Sequence, residues 1–519
     1  MVTKRYLVAP VTTLCLVVFA CSSSSNNGSA PNAGGKAGLG GAASGGGSVA
    51  AGKSAVTGGS STSSGTVASG GTAPNGGTTA GSGGTTPTGG TATTGGTMPT
   101  GGSTSGSGGS SAGGTTATGG VTGTGGGTPP AVTCTAEYTG SQTRPQLTDA
   151  SAACFTVQNY LAEAGTIGAL VRDSWDPSAG LPPASSYTPT YTVAADGSGT
   201  HTTVQDAITA ANGSGSSARV YILVKPGSYR ELVCAKGSVP ITLYGADADA
   251  TKVTIAFDNY NGKTVDSSKT NACSLPTGTT YGTSGSSTFF VSAAGFQAQN
   301  LTIANDFAEG ALTSNIQAVA LTVQGDQAVF QNVRLIGNQD TLQVKSSKLT
   351  IVARSYFKNS TIEGDTDFIF GRGTAVFDGC TITYVSGRKT DSTNIAPSTE
   401  TANPFGFLIV NSKMVGDSGM PTGTAYLGRA WDDSTAGAAP NGQAVIRDTE
   451  IGGHIRIVAP WAIAATSGRA FSASGNRLYE YENTGPGAAI GSDGGVATDT
   501  DAAGDVPATQ DASADVSAD

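Results

Sequence analysis

Asp340 lies eight residues after Asn332, and Asp367 lies eight residues after Asn359, so the two acids hold the same place in two successive copies of a short repeat. If those copies are successive coils of one solenoid, the two side chains stack about 5 Å apart. Carboxylates that close cannot both ionise cheaply, so the pair is expected to titrate as a unit with one pKa raised. One carboxylate beside one carboxylic acid at neutral pH is what a nucleophile and a general acid require. The plain alternative is two solvated turn aspartates, and the flanking residues argue against it. Asp340 follows an amide donor in Gly337-Asn338-Gln339-Asp340-Thr341-Leu342, and Asp367 opens the apolar run Asp367-Phe368-Ile369-Phe370-Gly371.

The elements that must position this pair are visible as a repeat: an apolar residue, any residue, Asn, Gly or Asp, two more residues, then an apolar one. It occurs six times, centred on Asn300, Asn332, Asn359, Gly379, Asn411 and Asp448. The centres are 32, 27, 20, 32 and 37 residues apart, the irregular period of a solenoid with loops of varying length. Each unit is a short alternating run beside a residue that tolerates left-handed geometry. A right-handed parallel β-helix satisfies all of this. A β-sandwich is disfavoured because Asn-Gly and Asp-Gly pairs are missing at hairpin spacing. Phe330, Phe357 and Phe377 should then stack inside at about 4.8 Å. The extra residues of the 27-residue rung over the 20-residue rung are placed in a loop, since both aspartates keep their phase. An amphipathic helix over 202–211, with Val204, Ala207 and Ile208 on one face, suits a short N-terminal cap over the first open rung. A second helix is expected over 155–171.

Outside that region the composition changes. Gly supplies 78 of 519 residues, with most of the excess before residue 130, and residues 22–130 are almost entirely Gly, Ser, Thr and Ala with scattered Pro and too little apolar surface to offset the entropy of ordering. Residues 1–21 read as an export signal: Lys4 and Arg5, an apolar run from Tyr6 to Phe19, then Ala20 and Cys21. Val18-Phe19-Ala20-Cys21 resembles a bacterial lipoprotein processing box, which implies a lipid anchor on Cys21 and a membrane or cell-surface location; ordinary cleavage and secretion is the alternative. Residues 131–484 form the foldable domain, and 485–519 an acidic tail. Seven aspartates of the tail account for most of the net charge of −9, leaving −2 elsewhere with no basic block, so nucleic acid is not an expected partner. Cys134 with Cys154 and Cys234 with Cys273 are plausible disulfides for an oxidising compartment, with Cys380 left as a buried thiol. Two histidines and no CxxC spacing make a zinc site improbable, and no metal or organic cofactor is expected.

With those residues in view, the chain resembles the pectinesterase family. Gly337 to Leu342 is similar to its Gly-Tyr-Gln-Asp-Thr-Leu segment with Asn338 for Tyr, and Asp367 to Gly371 matches its Asp-Phe-Ile-Phe-Gly segment. Gln317-Ala318-Val319-Ala320-Leu321, the Gly227-Ser228-Tyr229-Arg230-Glu231 run, and Leu427-Gly428-Arg429-Ala430-Trp431 (Ala430 for Pro) resemble three more, in the family's order. The resemblance implies hydrolysis of galacturonate methyl esters in pectin by a monomer. It assigns Asp367 as nucleophile and Asp340 as general acid and base. Gln317 and Gln339 would be oxyanion donors, Arg429 the group that orients Asp367, and Trp431 a platform for a sugar face. Tyr229 and Glu231 are read as structural. Three rivals remain at this point: a β-helix that binds carbohydrate without catalysis, a calcium-dependent pectate lyase, and an esterase for a non-pectin ester. The lyase needs a cluster of calcium-binding acids and a basic proton acceptor, where this sequence offers one aspartate pair with amide donors. Gly416-Asp417-Ser418-Gly419 superficially suggests a serine nucleophile, but neither histidine has a supporting context.

Overall fold

The computed structural model describes residues 132–464 and 466–488; the export segment, Cys21, the linker and the acidic tail lie outside the described residues. The repeat builds a parallel β-helix. Five of the six repeat centres are Asn or Asp with φ between 49° and 58°, and the sixth, Gly379, has φ 66°. Each is a left-handed corner that turns the chain from one face of the coil to the next, for instance from strand Arg354–Lys358 to strand Thr361–Gly364 across Asn359. Asn and Gly adopt this conformation at least cost. The corner side chains also stack: Asn332 Nδ2 donates to Asn300 Oδ1 at 2.9 Å. At Gly379 an added Cβ would come within 2.6 Å of Asn359 Oδ1, so that rung takes glycine. A seventh corner, Glu482 at φ 46°, escaped the sequence pattern because Glu is not a residue type that marks such a turn.

The inward positions stack in register. Ile303, Leu335, Ile362, Ile382, Met414 and Ile451 are paired rung to rung in one unbroken column, all fully buried. Phe330, Phe357 and Phe377 form the expected ladder, with ring centroids 4.8 and 4.9 Å apart and planes within 14°. The third face is a parallel sheet of seven short strands: β1 Val233–Ala235, β2 Phe289–Val291, β3 Leu321–Val323, β4 Leu342–Val344, β5 Ile369–Gly371, β6 Thr393–Pro397 and β7 Tyr426–Gly428. The extra residues of the longer rung fall between β4 and strand Arg354–Lys358, whereas only residues 372 and 373 separate β5 from its successor. They are a loop, and the phase upstream of β4 and β5 is undisturbed.

Each end of the coil is closed by something different. Helix α2, Val204–Gly213, buries Val204, Ala207, Ile208 and Ala211 over the first rungs. Thr203 caps its backbone, and Glu231 accepts from the amides of Val204 and Gln205 at 2.8 and 2.9 Å. Glu231 is therefore a helix cap, and Tyr229 donates to the Lys225 carbonyl; both are structural, as expected. At the far end, hairpin Tyr138–Ser141 with Arg144–Leu147 pairs with the last strand, Arg477–Tyr481. Arg144 makes a two-pronged, buried ion pair with Glu480 at 2.8 and 2.7 Å.

The expected helix over 155–171 is a correction. Helix α1 covers only Val157–Ala162, and an antiparallel pair, Glu163–Thr166 with Ala169–Arg172, follows. Gly165 and Gly168 at φ 93° and 89° close a tight turn that a helix cannot accommodate, and Thr166 and Ile167 favour strand. Both disulfides, Cys134–Cys154 and Cys234–Cys273, are formed. Cys380 is a buried free thiol whose pKa burial pushes up to about 12, which keeps it unreactive.

Two expectations follow from this packing. Phe357→Ala opens the middle of the aromatic ladder and should lower stability by about 3–5 kcal/mol in urea unfolding. His454 is buried beside Tyr384 with both ring nitrogens unpartnered, and burial depresses its pKa to about 4. Its neutral form therefore supports the fold in full above the unfolded value of about 6.5, and up to about 3 kcal/mol is lost as pH falls from there toward 4. His454→Leu should flatten the pH dependence of the melting temperature across that window.

Candidate active site

The candidate side chains flank the seven-stranded sheet, with the aspartates and glutamines where the chain enters its strands and Arg429 and Trp431 just beyond the exit of β7. Gln339 and Thr366 form a parallel bridge, and Leu342 pairs with Ile369, so Asp340 and Asp367 occupy equivalent positions in adjacent rungs. Asp340 N donates to Thr366 O at 3.1 Å, and Asp367 N donates to Thr393 O at 2.8 Å. Both aspartates have left-handed backbone, φ 67° and 45°, a conformation that Asp tolerates and most residues avoid. Sparsely populated backbone held by surrounding structure is a common property of functional positions. Each aspartate is only 5–7 % exposed.

Tight packing beneath the pair fixes their height. Phe368 is fully buried inside the coil, and a Cβ on Gly364 would lie 2.2 Å from the Phe368 Cβ and 2.6 Å from the Asn338 carbonyl. Gly364 is thus what lets the Asp340 and Asp367 segments approach. Gly428, in β7, is similarly pressed: a Cβ there would sit 2.5 Å from the Ile395 carbonyl oxygen.

Arg429 leaves the sheet one residue later. Its backbone amide donates to Ile395 O at 3.0 Å, which aims the side chain back across β6. Nε lies 3.0 and 3.1 Å from the two Asp367 oxygens, and Nη2 also donates to Oδ2. Thr393 Oγ1 donates to the other oxygen, Oδ1. Asp367 is therefore held as an oriented carboxylate by a cation on one side and a hydroxyl on the other. Thr393 was missed by sequence reasoning because no motif marks it; it is found only by following the sheet register one rung on from Asp367.

Gln317 precedes β3, and the next residue's amide donates to Gln339 O at 3.1 Å, so the two glutamines sit on neighbouring rungs. The Gln317 side-chain oxygen is buried and without a hydrogen-bond partner. Both amides belong to the rungs at and just before Asp340, the place from which donors can face an oxygen bonded at the aspartate pair. Trp431 packs on Phe370, centroids 5.7 Å apart at 58°, and with Val319 and Ala396 makes a small apolar platform on the outer side of the sheet. Ala430 stands where the related segment has proline. The loop is nonetheless tied down, because Trp431 N donates to Pro397 O at 2.9 Å and Arg372 pairs with Asp433. The backbone of all six site residues singled out from the sequence thus belongs to the rungs of this one sheet.

Two other features are excluded from the chemistry. Asp417 accepts from the amides of Ser386 and Gly419, so the Gly416–Gly419 run is a hydrogen-bonded turn. A cavity of about 590 Å³ beyond Trp431 is lined by Asp432, Asp433, Asn441 and Arg469 among others, and neither aspartate of the pair reaches it. Among the described residues no cluster of His, Cys, Asp and Glu is arranged to hold a metal ion.

Comparison with known proteins bears on the fold and the family. The family model described as Pectinesterase matches residues 190–494, more than half of the chain. A pectinesterase of Ralstonia solanacearum is 46 % identical over 367 residues, covering 67 % of this chain and 92 % of its own length. The structure of rice weevil pectin methyl esterase superposes with a TM-score of 0.58 at 31 % identity, covering 68 % of this chain and all of that one. The Escherichia coli ybhc crystal structure gives 0.59 at 32 % identity, covering 67 % and 96 %; the E. coli protein carries the name putative acyl-CoA thioester hydrolase. On this fold, this site and these relatives, the chain belongs to the pectinesterase family and is a carboxylic ester hydrolase.

Proposed function

We propose that this enzyme hydrolyses the methyl esters of polygalacturonate in pectin, releasing methanol, through attack by Asp367. The observation that carries the mechanism is the in-register pair of aspartates with Asp367 clamped by Arg429. Clamped in this way, a carboxylate oxygen of Asp367 adds to the ester carbonyl carbon. The resulting oxyanion is met by the side-chain amides of Gln317 and Gln339. Asp340, as the acid, protonates the departing methoxy oxygen, and the C–O bond breaks to leave an acyl-aspartate anhydride. Asp340, now a base, takes a proton from water, whose oxygen adds to the same carbonyl. Collapse of that intermediate frees the galacturonate and regenerates the Asp367 carboxylate. The atoms balance with water in and methanol out, and no step calls on a metal or cofactor. Trp431 and its apolar platform would lie against a sugar face.

The export signal and the cysteine after it support action outside the cytoplasm on an extracellular polysaccharide, with Cys21 as the point of lipid attachment and the linker as a tether. A second reading, hydrolysis of a different ester, is favoured by one observation: a 32 % identical relative is named as a putative acyl-CoA thioester hydrolase.

Methanol release from highly methylated pectin by the purified protein separates the two. Release should persist in chelator and vanish in Asp367→Ala; cleavage of acyl-CoA with no methanol from pectin would overturn the pectin reading. Gln317→Ala should lower kcat by roughly 10²–10³-fold with KM little changed, as for loss of one oxyanion donor. An effect confined to KM would remove Gln317 from that role.

A further inference from the structure

Asn338 stands where the related segment of the family has an aromatic residue, and its side-chain nitrogen is engaged with a carboxylate. Its Nδ2 bridges both carboxylate oxygens of Glu309, at 2.8 and 2.9 Å. The Asn338 carbonyl accepts from Asp365 N at 3.2 Å, which locks this residue to the next rung. Glu309 is therefore fastened beside Gln339 and Asp340 by one end of its side chain. Its own loop leads directly into Gln317, and two residues before it Phe307 is stacked on Tyr260 with centroids 3.9 Å apart. Glu309 itself is half-buried, with Asn338 as its hydrogen-bond partner.

What distinguishes Glu309 is the kind of partner it has. Nearby Asp306 is paired with Arg230, Glu363 with Arg334 and Asp365 with Arg388. Among the described residues no lysine or arginine pairs with Glu309; its partner is a neutral amide, which orients the carboxylate and leaves its negative charge uncompensated. A charge fixed in this way acts over about 8–10 Å at moderate ionic strength. That is enough to reach the uronate units on either side of the one being hydrolysed.

We propose that Glu309, presented by Asn338, selects against free carboxylates next to the reacting ester, so that the enzyme prefers esters flanked by esterified uronates. This rests on the pectin reading above. A methyl ester is uncharged and a galacturonate is an anion, so the discrimination is electrostatic and worth roughly two- to tenfold per neighbouring charge. Each turnover creates one such charge, which disfavours the adjacent ester in the next turnover. The product is a chain with scattered free carboxylates.

The test compares wild type with Glu309→Gln, which keeps shape and removes charge, on highly methylated pectin and on the same pectin saponified at random to low methylation. The expected result is a kcat/KM ratio between the two substrates, per ester group, that is two- to tenfold larger for wild type. Added sodium chloride should pull the wild-type ratio toward that of the variant and leave the variant nearly unmoved. Runs of adjacent carboxylates in the product, read by NMR, should be shorter for wild type. Equal ratios with methanol released by both proteins would overturn the proposal, as would a wild-type ratio insensitive to salt, a measurement that does not depend on the variant folding. Absence of methanol from wild type would instead overturn the pectin reading and the selectivity with it.

Discussion

In a parallel coil every residue inherits its neighbours from the residue one rung away, and the left-handed corner is what keeps that inheritance in phase. The backbone hydrogen bonds of each face run from rung to rung, so a corner that slipped by one residue would turn an entire column of inward side chains outward. Asn300, Asn332, Asn359, Gly379, Asn411 and Asp448 hold the corners in one line. The buried column from Ile303 to Ile451 and the ladder of three phenylalanines follow from that alignment. So does the register that places Asp340 on the rung next to Asp367.

The same constraint explains why length variation is tolerated where it is. Seven residues more between β4 and the following strand than between β5 and its successor leave the entry to both strands unchanged, because the excess is confined to one surface loop. The aspartates and glutamines sit at the other end of these strands, where the rungs are regular, while Arg429 and Trp431 follow β7. The loop variation is thus kept at the far end of a three-residue strand from the aspartate pair.

Around the aspartates the molecule assigns different tasks to different partners. Arg429 and Thr393 act on Asp367 from the following rungs, through a guanidinium and a hydroxyl. The two glutamines come from the rungs at and before Asp340. Two carboxylates on adjacent rungs can therefore differ in environment while sharing a backbone conformation, which is the condition for two carboxylates to play unlike roles. The departures from the family's motifs are absorbed locally. Where Ala430 lacks proline's stiffness, ladder bonds and the Arg372–Asp433 pair hold the loop. Where Asn338 lacks an aromatic ring, its amide holds a carboxylate.

Much of this was legible in the chain itself, because a solenoid writes its tertiary neighbours into its period. The spacing of eight residues from corner to acid placed Asp340 and Asp367 together, and the apolar residues around each corner named the core. Legibility failed where contacts are not periodic. Residues 155–171 read as one helix, since their apolar pattern is local and says little of the turn at Gly165 and Gly168 that lays a hairpin against the loop at Ile351. Arg144 and Glu480 are 336 residues apart, and no sequence pattern joins them; they meet only because the N-terminal hairpin folds across the last rung. Thr393 and Glu309 likewise carry no motif, and their relation to Asp367 and Asn338 is a matter of register and of one loop's path. The sequence by itself therefore determined the coil, its core and the aspartate pair, all of which repeat along the chain. Only the tertiary structure decided what closes the ends and which charges surround the site, because those contacts join segments whose separation in sequence has no period.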